Sequence, residues 1–152
     1  MALGLAAEEL FSALPAEYRR HLGDVPAIVR RLEAHAAAAR DRVGDLNALM
    51  SLGDVGDVRT HADVERADRD LSNARSAAER DLTSAVTALE SLRLDLLRLH
   101  GGGANADLRP LTTALDAARQ LGDELDRLTQ ADREASRIAP LPIFEITPPT
   151  PA

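Results

Sequence analysis

The sequence predicts an all-α protein: an elongated antiparallel three-helix coiled-coil bundle with short N-terminal helices and a Pro-rich extended tail. First, the apolar residues are mostly Ala and Leu, with few β-branched and only three aromatic residues, a composition that favours helix over sheet. Second, the apolar residues recur at alternating three- and four-residue spacings, which is typical of coiled-coil helices. Third, short Gly-containing stretches divide this pattern into three long segments.

The first 23 residues predict short helices rather than a long one. Residues 4–13 can form a short amphipathic helix, and a second one can begin near Pro15 and end at Gly23. Asp24 then has the residue type of a helix N-cap, and Pro26 is tolerated in the first helical turn. We therefore separate residues 1–23 from the bundle that follows.

Three apolar stripes predict long helices at residues 24–51, 59–100 and 108–138. Asp107 is a candidate cap for the third helix, and Pro140 ends it. The bundle therefore spans 24–139. Because the connections are short, consecutive helices should be antiparallel. We expect the first helix along the front half of the second, the third along its rear half, and all three together near 72–85. The stripes are Leu22, Val25, Val29, Leu32, Ala36, Ala39, Val43, Leu46 and Met50; Val64, Ala67, Leu71, Ala74, Ala78, Leu82, Ala85, Leu89, Leu92, Leu96 and Leu99; and Leu111, Ala114, Ala118, Leu121, Leu125, Leu128, Asp132, Ala135 and Ala139.

Two glycines, Gly44 and Gly122, fall inside the first and third predicted helices. Each costs about 1 kcal/mol relative to alanine in a helix interior. The sequence favours a close backbone contact or a local break at these positions over a hinge.

The tail, residues 140–152, differs in composition from the predicted helices. Its prolines exclude a helix. Ile143, Phe144 and Ile146 form an apolar cluster within it. Three interpretations stay open: a disordered end, a strap packed on the bundle, or a docking motif for a partner.

The glycine triplet after His100 raises the question of a cofactor site. Gly101-x-Gly103-x-x-Ala106 matches the phosphate-binding pattern of dinucleotide folds, with Asp123 and Glu124 about twenty residues later. That site requires a preceding strand within a parallel sheet. The alternation of Leu92, Leu94 and Leu96 lies inside a longer helical pattern, so the sequence favours a turn between two helices.

His61 is the best candidate for a metal ligand, because Asp57 and Glu65 lie four residues to either side of it on one helical face. A metal site needs three or four convergent ligands. The stretch is charge-rich, so a solvated histidine in an ion-pair network is the favoured interpretation. We expect no catalytic, cofactor-binding or metal-binding residue, and the alternative of a small helical metal protein or enzyme depends on His61, Asp57 and Glu65.

Charge and composition exclude several classes of protein. The formal net charge is -7 and all 18 basic residues are Arg, so the phosphates of nucleic acid are a poor match. No stretch is apolar enough for a membrane span, and no signal peptide is evident. With no Cys in the chain, disulfides are excluded. We expect a cytoplasmic protein.

Two stretches, DVPAIVRRLEAHAAAARDRV at 24–43 and ALESLRLDLLRLHGG at 88–102, resemble the helical regions that follow the catalytic domain of some bacterial serine/threonine protein kinases. The resemblance covers about residues 14–103. The chain has none of the kinase motifs, H-R-D, D-F-G or an ATP-contacting lysine. The resemblance therefore implies an accessory, non-catalytic part of a signalling protein and assigns no site residues.

From these observations we expect a non-enzymatic helical interaction or oligomerisation module. It would bind a protein partner or a second copy through its helix faces, and a homodimer is one such arrangement. We expect the Leu-rich end of the bundle to form the interaction surface. Leu94 and Leu97 lie beside the main apolar stripe there and make the stripe wider. The predicted partner-binding residues are Leu89, Leu94, Leu97, Leu111, Leu115 and Phe144.

Overall fold

A computed structural model describes residues 2–52, 61–102 and 107–138. Among these residues the chain is almost entirely helical and contains no β-strand. The all-α fold class is therefore confirmed. The helices in chain order are α1 (Ala2–Ser12), α2 (Ala16–His21), α3 (Val25–Leu52), α4 (His61–Gly101) and α5 (Arg109–Ile138).

The helix ends lie close to the positions that the sequence predicts. Both ends of α3 and of α5, and the C-terminal end of α4, fall within one residue of the prediction. The predicted start of α4 at 59 and the tail at 140–152 lie outside the described residues. At the start of α5 the Asp107 carboxylate accepts a hydrogen bond of 3.0 Å from the backbone N–H of Arg109. This bond confirms the predicted cap, because it satisfies a donor that a helix end leaves unpaired.

α3 and α5 run in the same direction. Arg119 in α5 donates a hydrogen bond of 2.7 Å to Asp24, immediately before α3. Near the other end, Arg42 pairs with Asp132. The residue numbers rise together along both helices, so the two are parallel to each other.

α4 runs opposite to α3. Val29 and Leu32, near the start of α3, share a core cluster with Leu92 and Leu96, near the end of α4. Further along α3, Ala36 packs with Ala85. Residues later in α3 therefore contact residues earlier in α4. The two helices are antiparallel, as expected for helices joined by a short connection.

The main core lies at the Leu-rich end of α4. Its members come from α1, α3, α4 and α5 and from the segments on either side of α2. All three long helices therefore share a core well beyond the 72–85 region where the sequence suggested their overlap. The buried members are Ala7, Leu14, Leu22, Val25, Ile28, Val29, Leu32, Leu89, Leu92, Leu96, Leu99, Leu111, Leu115 and Ala118.

The core thins toward the opposite end of the bundle. A second, smaller cluster contains only Ala36, Ala85 and Leu125 as buried residues. Beyond it, every residue from 61 to 70 is exposed. Burial of apolar area stabilises a fold by about 25 cal/mol per Å², so most of the packing energy is concentrated at the end where α1 and α2 join the long helices.

α1 approaches α3 closely at Gly4. A Cβ atom added at Gly4 would overlap the carboxyl group of Glu33, so that group would have to move. The absence of a side chain at position 4 therefore allows α1 to pack on the middle of α3.

Candidate partner-binding surfaces

Three of the predicted partner-binding residues are not on the surface. Leu89, Leu111 and Leu115 are buried in the main core, so their assignment to an exposed partner surface is wrong for this fold. Leu89 of α4 and Leu111 and Leu115 of α5 pack against other helices of the same chain. Phe144 lies outside the described residues.

Leu94 and Leu97 do lie on the surface, with 38% and 47% of their area exposed. Each is off the stripe that α4 turns toward α3 and α5. Leu97 lines a groove of about 370 Å³ between α1 and α4, together with Leu10 and Ala13 of α1. The helical offset therefore directs these two leucines to a different face from that of the core leucines.

The charges around this groove are partly paired within α4. Arg93, which lines the groove, donates hydrogen bonds of 3.0 and 2.6 Å to the two carboxylate oxygens of Glu90. These bonds lower the pKa of Glu90. The groove thus combines apolar side chains with polar ones, among them the paired Arg93, and such a mixture is common in protein-interaction surfaces.

His61 does not belong to a metal site in the described part of the chain. Its Nε2 atom lies 3.7 Å from Oε1 of Glu65, and its side chain is 91% exposed. Asp57 lies outside the described residues. No group of three or more His, Asp or Glu side chains converges elsewhere in residues 2–52, 61–102 and 107–138. The described geometry thus places one carboxylate, that of Glu65, near the exposed His61 side chain.

The residues before the glycine triplet are helical, as the longer apolar pattern predicted. Leu92 and Leu96 are buried while Leu94 is exposed, whereas a half-buried strand would place all three on one face. Gly101 is the last residue of α4, and Gly103–Ala106 lie outside the described residues. A dinucleotide site requires a strand before its glycines, and a helix stands there instead.

Asp123, an acid of the dinucleotide pattern, has a structural role instead. Arg31 in α3 donates a hydrogen bond of 2.7 Å to Asp123 and another of 2.9 Å, from Nε, to Asp126. These hydrogen bonds raise the pKa of the Arg31 guanidinium. Nε2 of His35 lies 3.0 Å from Asp126 as well. Arg31 therefore ties α3 to α5, a role that sequence spacing could not assign because its partners are more than ninety residues away.

Gly122 makes room for this connection. A Cβ atom at Gly122 would lie 3.1 Å from Cζ of Arg31, so the guanidinium rests against the bare helix backbone. The close contact favoured by the sequence is present at Gly122. At Gly44 it is absent, since a Cβ there would meet nothing within 4 Å. Both glycines lie inside uninterrupted helices.

Sequence reasoning missed a cleft between α3, α4 and α5. Its volume is about 460 Å³, and it lies next to the second core cluster. The sequence feature that could have predicted it is the run of alanines in the stripes of α3 and α4. Alanine side chains are short, so they leave space between these helices and the leucines of α5. The lining residues are His35, Ala38, Ala39, Arg42, Ala78, Asp81, Leu125, Leu128, Thr129, Asp132, Arg133 and Arg137.

No helix in the described part of the chain is long and apolar enough to cross a membrane. Comparison with known proteins gives no match to a protein-family model, to a curated protein or to a solved structure. The exposed surfaces of the helices are therefore the basis for a functional proposal.

Proposed function

We propose that this protein is a non-enzymatic helical interaction or oligomerisation module. In this proposal the three long helices form an elongated antiparallel coiled-coil bundle, and one of its outer faces binds a protein partner or a second copy. The resemblance to regions that follow bacterial serine/threonine kinase domains supports a role as an accessory part of a signalling protein. The expected cytoplasmic location stays a prediction.

The observation that carries the proposal is the exposure of Leu97, which lines the groove between α1 and α4, together with that of Leu94, three residues earlier on α4. Single exposed leucines are ordinary, but apolar side chains grouped at a groove with a polar rim are typical of interaction sites. Leu5 on α1 is also exposed. We therefore assign the partner surface to this outer face of α1 and α4 and no longer to the core leucines.

The alternative of a metal protein built on His61 has less support. Its only described contact with a carboxylate is 3.7 Å long, and the side chain is surrounded by other exposed residues. No feature of the described residues favours catalysis, so the interaction module is the single function that we propose.

Site-specific photo-crosslinking in the cells that produce the protein tests the proposal. A photoreactive amino acid at position 97 should give a crosslinked protein adduct, either to a second copy or to a partner. The same amino acid at Arg69, an exposed position on α4, is the matched control and should give none. Mass spectrometry of the adduct identifies the partner.

A second measurement addresses self-association directly. Light scattering over a concentration series gives the oligomeric state, and Leu94→Ser combined with Leu97→Ser should abolish any dimer. Leu49→Ser, at an exposed leucine near the end of α3, should leave it unchanged. The proposal fails if the protein is monomeric throughout and position 97 captures no protein.

A further inference from the structure

The cleft between α3, α4 and α5 has an apolar floor. Ala39, Ala78 and Leu125 form it and are buried, whereas Leu128 on the wall is 49% exposed. The cleft exists because the floor residues of α3 and α4 are alanines, whose short side chains do not reach α5. Its volume of about 460 Å³ lies within the range of about 300–1,000 Å³ common for small-molecule sites, which in helical bundles form between helices.

Three arginines and two aspartates, Asp81 and Asp132, line the cleft, so positive charge is in excess there. Arg42 is already paired with Asp132, and His35 with Asp126. Arg133 and Arg137 also line the cleft, and their spacing of four residues places them on one face of α5. Neither forms an ion pair with a residue in the described part of the chain, although the protein as a whole carries a net charge of -7.

Asp81 lies on the α4 wall of the cleft. Its side chain is partly buried, and desolvation raises its pKa despite the opposing effect of Arg42. The partial loss of hydration disfavours the charged form of this carboxyl group.

We propose that this cleft binds a single-chain amphiphile with an anionic head group. The apolar chain would lie on the floor formed by Ala39, Ala78 and Leu125, and the head group would contact Arg133 and Arg137. Guanidinium groups bind carboxylates and phosphates through charge-assisted, often paired, hydrogen bonds. This binding activity is separate from the proposed interaction surface on α1 and α4 and does not depend on it.

The combination of floor and rim selects this chemistry over others. A small inorganic anion would gain nothing from the apolar floor. A cationic amphiphile would be repelled by Arg133 and Arg137, neither of which forms an ion pair with a described residue, and a neutral one would leave them without a counter-charge. The anionic amphiphile alone uses both features of the cleft.

Isothermal titration calorimetry with four ten-carbon probes, kept below their micelle-forming concentrations, tests the proposal on the full chain. The probes are decanoate, decyl phosphate, decanol and decyltrimethylammonium. One saturable site is expected for either or both of the two anions, and the neutral and cationic probes should bind at least about tenfold more weakly, since hydrogen bonds to charged groups contribute about 1.5–3 kcal/mol. The ratio between the two anions tells whether a carboxylate or a phosphate head is preferred.

Substitutions locate the site. Arg133→Gln combined with Arg137→Gln should weaken anion binding about tenfold or more, because the charge-assisted bonds are lost. Arg127→Gln is the matched control, because Arg127 lies on the same helix but donates to its own helix backbone, to the carbonyl of Asp123. Ala38→Leu adds an apolar side chain to the cleft wall without altering the arginines, and should also weaken binding.

Three outcomes overturn the proposal. One is the absence of saturable binding by either anion. Another is equal affinity for decanoate, decanol and the cationic probe, which describes a nonspecific apolar contact. The third is unchanged affinity in the double arginine variant. Circular dichroism of each variant confirms that the helices are retained, and a crosslinking failure at position 97 would leave these results unaffected.

Discussion

Alanine substitution of Leu92, Leu94 and Leu96 distinguishes a helix from a strand at the segment that leads into the glycine triplet. In the structure Leu92 and Leu96 are fully buried in the main core, whereas Leu94 is exposed by more than a third. Buried leucine-to-alanine changes cost about 2–5 kcal/mol, because apolar contacts are lost and a cavity remains. At Leu94 no closed cavity forms, so the expected cost is about 1 kcal/mol or less.

Chemical denaturation measures these differences in the free energy of unfolding, and thermal denaturation gives a second readout. For a domain of this size 1 kcal/mol corresponds to a shift of about 2–4 °C in Tm. Leu92→Ala and Leu96→Ala should therefore each lower Tm by about 4–20 °C, and Leu94→Ala by about 4 °C or less. Equal losses at all three positions would refute the reasoning, because only a strand places 92, 94 and 96 on the same face.

Two further predictions concern the glycines inside α3 and α5 and the carboxyl group of Asp81 in α4. Gly44→Ala should stabilise the protein by up to about 1 kcal/mol, because alanine favours helix and the new Cβ meets nothing. Gly122→Ala should gain less or destabilise, since its Cβ would displace the Arg31 guanidinium, and comparable gains in denaturation experiments would contradict that contact. Desolvation raises the pKa of Asp81, so the folded state disfavours its charged form; Asp81→Asn should therefore raise stability at neutral pH, with the gain fading as the pH falls toward the ordinary aspartate pKa of about 3.9. Urea titrations at several pH values measure this trend, and a gain that grows toward acid pH would contradict it.

The partner-binding prediction shows where sequence reasoning failed. Leu89 and Leu111 lie on the predicted apolar stripes and Leu94 and Leu97 lie off them, yet the sequence analysis assigned all four, with Leu115, to the partner surface. Periodicity predicts that some leucines face a neighbour, but it does not tell whether that neighbour belongs to the same chain. The short helix α1 packs on both α3 and α4, and its position beside the Leu-rich end could not be read from spacing.

The ion pairs of Arg31 illustrate a second limit of prediction from the sequence. In the sequence Arg31 is one of 18 arginines, and its spacing from other charged residues does not identify its partners. The structure pairs Arg31 with Asp123 and Asp126 across two helices. Long-range ion pairs depend on how each helix is rotated about its axis. Successive residues of a helix are about 100° apart around that axis, so a shift of one residue turns a side chain to a different neighbour.

The sequence by itself determined the helical class, the ends of α3 and α5 and the C-terminal end of α4. These features depend on local chemistry: the helix preference of Ala and Leu, the cap at Asp107, and the three- and four-residue spacing of apolar side chains. The tertiary structure decided which leucines are buried, where α1 packs, and that alanines in α3 and α4 leave a cleft against α5. Those outcomes depend on how whole helices are positioned against one another, because a side chain's burial is set by residues far from it in the chain.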